Sequence, residues 1–308
     1  MPLHLNKNLP ILKLYMKHAI EVASGLYFGE SPRYHEDKLW FSDFFDEAVW
    51  TLDEDFHLER VFEVKNQPSG LGWLPDGRML VVSMLDRKVL RREGDELVEH
   101  ADLWDIFAYH ANDMLVDIDG TAYVGNFGFD VYTAIEEEGL EGLVLPPGPT
   151  TANIAKITPS GEVSVVADEL FFPNGMAITP DRKSFVVAET LAMRLTAYDL
   201  DENGDLKNRR IFADLKDQYI APDGIAMDEE GMIWVANSIG PEVVRVKEGG
   251  EIVDRIRTAD SCFSCTLGGK DGKTLYAMCT PSRVAFMEVA LQEGKIFTYE
   301  VDVKKAET

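Results

Sequence analysis

Short apolar stretches recur along the chain, each opened by a polar residue and followed by a turn. The clearest copy begins at Ser69, passes through a Pro-Asp-Gly turn at 75–77 and ends in the apolar run 79–82. An Asp-Gly turn between two apolar runs is typical of a β-hairpin. Each copy therefore predicts an inner strand, a tight turn and a second strand rich in β-branched and aromatic residues. Helical periodicity is weak throughout.

Six copies of this pattern align in phase, beginning at Glu30, Ser69, Asn112, Asn174, Asp223 and Ser264. They start roughly 40 to 60 residues apart, close to the blade of about 40 to 50 residues that builds a β-propeller. A β-sandwich is the alternative for an all-β chain, but six in-phase copies suit radial repetition better. The pattern predicts an all-β fold, a six-bladed β-propeller with four-stranded antiparallel blades that forms a single domain over residues 1–308.

Two further features bear on how the ring is built. The longest interval contains an insertion at 127–150, with an acidic run at 136–138 and a proline-rich stretch at 146–149. This insertion is either a solvated loop or a lid over the channel mouth, because long loops in compact domains often carry function. Near the two ends, the segment 20–22 is expected to pair with 296–299, which would close the ring and remove free sheet edges.

Charge and hydropathy limit the classes of function. The chain has 30 Lys and Arg against 54 Asp and Glu, a formal net charge of −24, which disfavours nucleic-acid phosphates and anionic membrane surfaces as partners. We find no apolar run long enough to span a bilayer and no signal peptide in 1–24, so a cytoplasmic location is expected. A small-molecule substrate is the partner class that remains, and the pattern does not indicate an oligomeric state.

The number of cysteines also fits a reducing compartment such as the cytoplasm. The chain has three of them, and an odd number argues against a disulfide framework. Cys262 and Cys265 have CxxC spacing, but a structural zinc site normally needs four ligands and only Cys279 lies nearby. We expect three buried structural thiols.

The first positions of the six copies carry the candidate chemistry. In a propeller the starts of equivalent inner strands lie around one end of the central channel, so repeat position becomes spatial proximity. Glu30 and Asp223 supply two carboxylates, and Asn112 and Asn174 add amide oxygens. Singly, each residue could cap a strand or a turn. Together they favour one hard divalent cation, calcium ahead of magnesium, manganese or zinc.

The same residues carry a family likeness. Its most specific pieces, in chain order, are Gly-Glu-Ser-Pro at 29–32 with 39–43, Asn-Asp at 112–113 before 119–120, Asn-Gly-Met-Ala at 174–177 before 179–181, and Pro-Asp-Gly-Ile-Ala at 222–226. Through these motifs, from about Gly29 to Thr280, the chain resembles the senescence marker protein, gluconolactonase and luciferin-regenerating enzyme family. One motif alone is a weak signal, whereas four in order are specific.

The resemblance implies a six-bladed propeller with a divalent metal in its channel. It implies Glu30, Asn174 and Asp223 as metal ligands and places Asn112 against the metal or the substrate. One position departs from the family pattern, because sugar-lactonase members usually have Arg two places before the Asn of the third motif, where this chain has His110. Neutral His is a weaker anion clamp than Arg, so sugar-acid lactones are in doubt as substrates.

Hydrolysis of a lactone or a related ester by metal-activated water is the predicted reaction, since a cation can polarise a carbonyl while a carboxylate activates water. Asp223 is the candidate catalytic base as well as a metal ligand, the double role that the resemblance implies. His110, Asn112 and Phe129 are candidates for substrate binding, and a structural role or proton transfer is the alternative for His110. We find no Gly-x-Ser-x-Gly, P-loop or His-Glu-x-x-His motif. The alternatives are a phosphotriesterase, another reaction on a non-sugar substrate, and a non-catalytic calcium-binding propeller.

Overall fold

The predicted repeat is confirmed by the computed structural model, which describes residues 17–131, 133–134, 137, 151–281 and 291–306. Six sheets of antiparallel strands form the six blades of an all-β propeller. Each blade begins with an inner strand, continues through a hairpin turn and ends at the rim. The inner strands contact one another in chain order, and the sixth contacts the first, so the ring is closed.

The first three blades follow the chain without interruption of strand order. Blade 1 consists of β3 (Gly29–His35), β4 (Lys38–Asp43), β5 (Ala48–Leu52) and β6 (Leu58–Glu63). Blade 2 consists of β7 (Pro68–Trp73), β8 (Met79–Ser83), β9 (Lys88–Glu93) and β10 (Glu96–Asp102). Blade 3 consists of β11 (Ala111–Val116), β12 (Ala122–Asn126), β13 (Ala152–Ile157) and β14 (Val163–Leu170).

The remaining blades include both ends of the described chain. Blade 4 consists of β15 (Pro173–Ile178), β16 (Ser184–Glu189), β17 (Arg194–Leu200) and β18 (Leu206–Asp214), and a short 3-10 helix (Lys216–Gln218) leads to blade 5. Blade 5 consists of β19 (Pro222–Met227), β20 (Ile233–Asn237), β21 (Glu242–Val246) and β22 (Ile252–Arg257), with β1 (Lys17–His18) parallel to β22. Blade 6 consists of β23 (Cys262–Gly268), β24 (Thr274–Cys279), β25 (Gly294–Glu300) and β2 (Ile20–Leu26).

The ring closes through the pairing expected from the sequence. Strand β2 is the outer strand of blade 6, with Ile20 opposite Thr298 and Glu21 opposite Phe297. The N-terminal strand therefore completes the last blade, so the blade that ends the ring is not left one strand short. Strand β1 adds a contact that the sequence pattern did not predict. It covers the outer edge of blade 5, where Lys17 pairs with Asp254 at 2.5 Å.

The insertion expected at 127–150 lies between β12 and β13 of blade 3. It begins beside the start of β11, since the amide of Phe127 donates to the carbonyl of His110 at 3.0 Å. Most of the insertion lies outside the described residues, so its role as a lid stays a prediction. The three cysteines are free and buried, as expected. In the described ranges, no helix is long and apolar enough to cross a membrane.

Candidate functional site

The strand register defines which residues face each other around the axis. In every blade the first residue of the inner strand pairs with the last residue of the second strand. The second residues of the inner strands are therefore equivalent: Glu30, Ser69, Asn112, Asn174, Asp223 and Phe263. We call these six residues the axial ring.

The axial ring corrects one sequence assignment. Cys262 pairs with Cys279 at the start of blade 6, so the equivalent residue is Phe263 and not Ser264, which was expected from the repeat. Ser264 still reaches the ring, because its hydroxyl hydrogen-bonds Glu30. The ring therefore has five oxygen-bearing side chains and one aromatic side chain, instead of six oxygen-bearing side chains.

A β-bulge follows the start of each inner strand. It begins after the first residue of the inner strand in blades 2 to 6 and after the second residue, Glu30, in blade 1. Bulges re-aim side chains and are common beside functional sites. In blade 1 the bulge contains Ser31, a fully buried residue with a positive φ of 50°. A side-chain-bearing residue is held in this strained conformation only where its surroundings fix it.

Close backbone approach brings the inner strands together beside the axial ring. The residue after the ring position is glycine in blades 2, 4 and 5. A Cβ atom at Gly224 would lie 2.1 Å from the hydroxyl oxygen of Ser264, and one at Gly70 would lie 2.3 Å from the amide nitrogen of Met114. These distances leave no room for a methyl group, so glycine permits the packing that narrows the axis.

Gly175→Ala should lower the free energy of unfolding by about 3 kcal/mol, because the added Cβ meets backbone that cannot rotate away. It would lie 2.5 Å from the amide nitrogen of Ile225 and 2.7 Å from the carbonyl oxygen of Asp223. Gly231→Ala is the control, with nothing within 4 Å of its Cβ but a φ of +75°, and should cost about 1 kcal/mol. Urea unfolding measures both, and equal losses would contradict close packing as the reason for Gly175.

Four members of the axial ring are the predicted metal and substrate ligands, and all four are buried. The exposed fractions are 7% for Glu30, 5% for Asn112, 5% for Asn174 and 7% for Asp223. Asn174 is held by a short chain of hydrogen bonds, since its amide donates to Thr190 Oγ1 at 3.3 Å. Thr190 Oγ1 in turn donates to the carbonyl of Pro222 at 2.8 Å, which links blade 4 to blade 5 beside Asp223.

Three polar atoms of the ring have no hydrogen-bond partner within the described residues. They are Oδ1 of Asp223, Nδ2 of Asn112 and Oγ of Ser69, and all three are buried. Buried polar atoms are nearly always satisfied, so unpaired acceptors and donors in one ring point to a bound group. A carboxylate oxygen is suited to a cation, and an amide N–H is suited to a substrate oxygen.

The two carboxyl groups of the ring interact strongly. The pKa of Glu30 is raised well above its usual range, mainly by burial and then by the charges of Asp223 and Asp113. Hydrogen bonds from Ser31 and Ser264 lower this pKa but do not offset the rise. Burial also raises the pKa of Asp223, followed by the charge of Asp113, whereas the Gly224 amide and the Asn174 side chain lower it. Two carboxyl groups whose ionisation is opposed by burial and by neighbouring negative charge favour a divalent cation beside them.

A third carboxylate lies beside the ring and was not assigned a role from the sequence. Oδ1 of Asp113 accepts hydrogen bonds from Ser31 Oγ at 2.9 Å, from Arg33 Nη2 at 3.1 Å and from the amide of Met114 at 2.8 Å. Arg33 also donates to the carbonyl of Met114 at 2.6 Å. The Arg33 guanidinium therefore compensates Asp113. Within the described ranges, Glu30 and Asp223 form no salt bridge with a cationic side chain.

The donor set has a definite chemical character. Among the described residues there is no group of three or more His, Cys, Asp or Glu side chains arranged to hold a metal. The axial ring instead combines two carboxylates with two amides. An oxygen-only set of this kind fits a hard cation such as calcium and lacks the nitrogen or sulfur ligands typical of zinc.

His110 lies directly before β11 and borders the ring. Its ring stacks on Tyr109 at a centroid distance of 4.0 Å and lies 5.9 Å from Phe127. Burial lowers the pKa of His110, and the charge of Arg87 lowers it further, against Asp130. The imidazole is therefore held neutral, and its buried Nδ1 has no partner among the described residues. A neutral imidazole can bind a substrate oxygen but cannot replace the charge of an arginine.

Phe129 is half-buried and packs against the apolar cluster at the same end of the propeller. This position agrees with an approach to the site from the start of the insertion. Phe129 contact with a substrate stays a prediction, because the rest of the insertion up to 150 is largely outside the described residues.

A sequence model of a protein family, described as SMP-30/Gluconolactonase/LRE-like region, matches residues 28–280. Regucalcin from Oryctolagus cuniculus is a similar curated protein, 29% identical over 171 residues that make up 54% of this chain and 54% of that protein. The chain thus matches about half the length of this curated relative.

Solved structures share the fold. Luciferin-regenerating enzyme superimposes with a TM-score of 0.79 at 19% identity, over 94% of this chain and 96% of that chain. A calcium-binding protein, regucalcin, from Agrobacterium tumefaciens superimposes with a TM-score of 0.75 at 18% identity, over 94% and 95% of the two chains. At these identities the likeness establishes the propeller fold alone.

Proposed function

Because the chain belongs to the SMP-30/gluconolactonase/LRE-like family, we propose that it is a divalent-cation-dependent hydrolase that opens a lactone or cleaves a related ester. Family membership supports hydrolase activity on a small molecule, and the metal and the reaction are our proposal. The observation that carries it is the buried Oδ1 of Asp223, which lies near the carboxyl group of Glu30 and has no hydrogen-bond partner in the part of the chain that the structure describes.

We propose that Glu30, Asn174 and Asp223 hold the cation and that Asn112 touches either the cation or the substrate. Calcium is the cation that we favour, with magnesium, manganese and zinc as alternatives, because calcium accepts irregular sets of carboxylate, amide and water oxygens. A calcium-binding protein among the structural neighbours agrees with this choice. When bound, the ion would polarise the substrate carbonyl and stabilise negative charge on its oxygen.

Residues of the axial ring and His110 would carry out the proton transfers and bind the substrate. Asp223 would accept a proton from the attacking water, whose oxygen forms a bond to the carbonyl carbon. The bond from that carbon to the leaving oxygen then breaks, and the leaving oxygen takes up the proton, so a lactone gives a hydroxy acid. The unpaired Nδ2 of Asn112 would donate to a substrate oxygen, and neutral His110 would orient the substrate.

We expect turnover of at least one lactone or ester to fall to background on chelation and to return when calcium is added. The decisive experiment is a hydrolysis screen of the full chain, in which sugar, aliphatic and aromatic lactones, esters and phosphotriesters are each tested with calcium, magnesium, manganese, zinc or a chelator. Phosphotriester hydrolysis alone would favour the phosphotriesterase alternative. Cation binding without any turnover would overturn the enzyme proposal and leave a non-catalytic calcium-binding propeller.

A further inference from the structure

Two groups of aromatic side chains border the axial ring on opposite sides. The first aromatic wall consists of Phe28, Phe44, Phe45 and Phe263, from blades 1 and 6 and the strand connections beside them. Its rings are in contact, with centroid distances of 5.3 Å from Phe28 to Phe44 and 4.9 Å from Phe28 to Phe263. Phe263 is itself a member of the axial ring, so this wall reaches the axis.

The second aromatic wall consists of Tyr109, His110, Phe127 and Phe172, which lie at the ring ends of blades 3 and 4. Phe127 stacks on Phe172 at 4.8 Å, and His110 links this pair to Tyr109. In a ring of six blades, the junction of blades 3 and 4 lies across the axis from the junction of blades 6 and 1. A molecule bound on the axis would therefore lie between the two walls.

Part of each wall is open to solvent. Phe45 in the first wall and Tyr109 and Phe172 in the second are only half-buried. Large apolar residues are also exposed on loops at the same end of the propeller: Leu85 and Trp104 at blade 2, and Tyr219 and Ile239 at blade 5. The partly open aromatic rings therefore lie at an end of the propeller that presents apolar side chains to solvent.

The charges at this end disfavour an anionic substrate. The axial ring contains two carboxyl groups, Glu30 and Asp223, and residue 110 beside it carries an imidazole and not a guanidinium. Arg87, the cation near His110, is partly engaged, because it donates to the carbonyl of Phe107 at 2.7 Å and stacks 4.1 Å from the Trp104 ring. Its buried Nε has no partner within the described residues. A polyhydroxylated sugar derivative has more polar groups than Ser69 Oγ, Asn112 Nδ2 and His110 Nδ1 can bind, so the others would lie against phenyl rings without hydrogen-bond partners.

Resting on the proposed function, we infer that the substrate is a neutral lactone or ester with an aromatic or bulky apolar body, held between the two aromatic walls. Phe263 and His110 are the residues that determine this specificity. Phe263 replaces the oxygen-bearing side chain that the other five blades place on the axis, and His110 supplies a flat ring that stacks on Tyr109. Apolar rings bind apolar bodies by excluding water and by stacking.

The test compares substrates on the wild-type full chain with calcium. Dihydrocoumarin, a lactone fused to a benzene ring, should be hydrolysed with a kcat/KM at least about tenfold above that of glucono-1,5-lactone, with δ-valerolactone between them. A preference for glucono-1,5-lactone would overturn the substrate class and leave the proposed hydrolase intact. Absence of turnover on every lactone and ester, in protein that is folded and binds calcium, would overturn both.

Variants assign the preference to the two residues. Phe263→Ser, which places on the axis the side chain that blade 2 carries, should lower kcat/KM for dihydrocoumarin about tenfold and leave calcium binding unchanged. If circular dichroism shows that this variant is unfolded, Phe263→Leu keeps the apolar volume and should give a smaller loss in the same direction. His110→Arg should raise the relative rate on glucono-1,5-lactone. Tyr34→Phe, near the far end of β3, is the control and should leave the ratio unchanged.

Unaltered substrate ratios in folded Phe263→Ser and His110→Arg would refute the assignment of specificity to the aromatic walls.

Discussion

Asp223→Asn should reduce turnover by about a thousandfold or more while the propeller stays folded. The substitution keeps an oxygen at the same position but removes the proposed base and one of the two charges proposed to hold the cation. Asp223 lies in a closed ring whose core is apolar, so the fold should not depend on this carboxylate. The measurement is kcat on a substrate identified by the hydrolysis screen, at saturating calcium, with circular dichroism to confirm folding.

Saturating calcium separates two causes of lost activity. If the variant only binds the cation more weakly, activity should return as calcium is raised, whereas loss of the base should persist at every calcium concentration. Asp199→Asn is the matched control, because Asp199 is an exposed residue of β17 that pairs with Arg210 at 2.8 Å, far from the axial ring in the strand order. Wild-type turnover in folded Asp223→Asn would refute the proposed mechanism.

The blades could be predicted from the sequence because their signals are local. A turn, which is Asp-Gly in three of the six copies, and a short apolar run after it define each hairpin within a short window, and six in-phase copies define the ring. The pairing of β2 with β25 followed from a different constraint, since an open ring would leave unpaired strand edges. The position of β1 along blade 5 carries no such signal, because a two-residue strand has no periodicity.

The sequence pattern predicted five of the six residues of the axial ring, and its prediction for the sixth was wrong. The polar residue that best matches the repeat in blade 6 is Ser264, but the register is set by the pairing of Cys262 with Cys279. A shift of one residue in a strand reverses the direction of a side chain. Local pattern cannot detect this shift, because the bulge that causes it depends on the partner strand.

The compensation of Asp113 by Arg33 was also outside the reach of sequence patterns. The two residues are 80 positions apart and belong to strands of different blades. Asp113 belongs to the family motif at 112–113, and Arg33 directly follows the motif at 29–32. No spacing rule connects the two residues. Their contact matters for the site because it neutralises one of three neighbouring carboxylates and leaves two for a cation.

The cation-free protein should lose stability as pH rises above about 4.5, and calcium should abolish that loss. Glu30 and Asp223 have folded-state pKa values raised above their ordinary values of 4.5 and 3.8. Between the ordinary and the raised values, the folded chain therefore binds more protons than the unfolded chain. The stability from these two groups is fully present below their ordinary pKa values and is lost as pH rises through the raised values.

The same reasoning predicts that neutralising two buried glutamates changes the melting temperature in opposite directions. Glu30→Gln should raise the melting temperature of the cation-free protein at pH 7, because it removes a charge that repels Asp223, and should reduce the increase that calcium produces. Glu189→Gln should lower the melting temperature with or without calcium. Burial opposes ionisation of Glu189, but hydrogen bonds from Arg194 and Thr196 lower its pKa, and breaking a buried pair of this kind costs about 3 to 5 kcal/mol.

Thermal unfolding of the wild type, Glu30→Gln and Glu189→Gln, with calcium or with a chelator at pH 5 and pH 7, measures both effects. The chelated wild type should melt at a lower temperature at pH 7 than at pH 5, while Glu30→Gln should show a smaller difference, because one of the two opposing carboxylates is gone. General effects of pH on surface charge would appear equally in all three proteins. A destabilised, cation-free Glu30→Gln at pH 7 would therefore show that Glu30 is compensated within the protein and would remove the electrostatic basis for a cation on the axis.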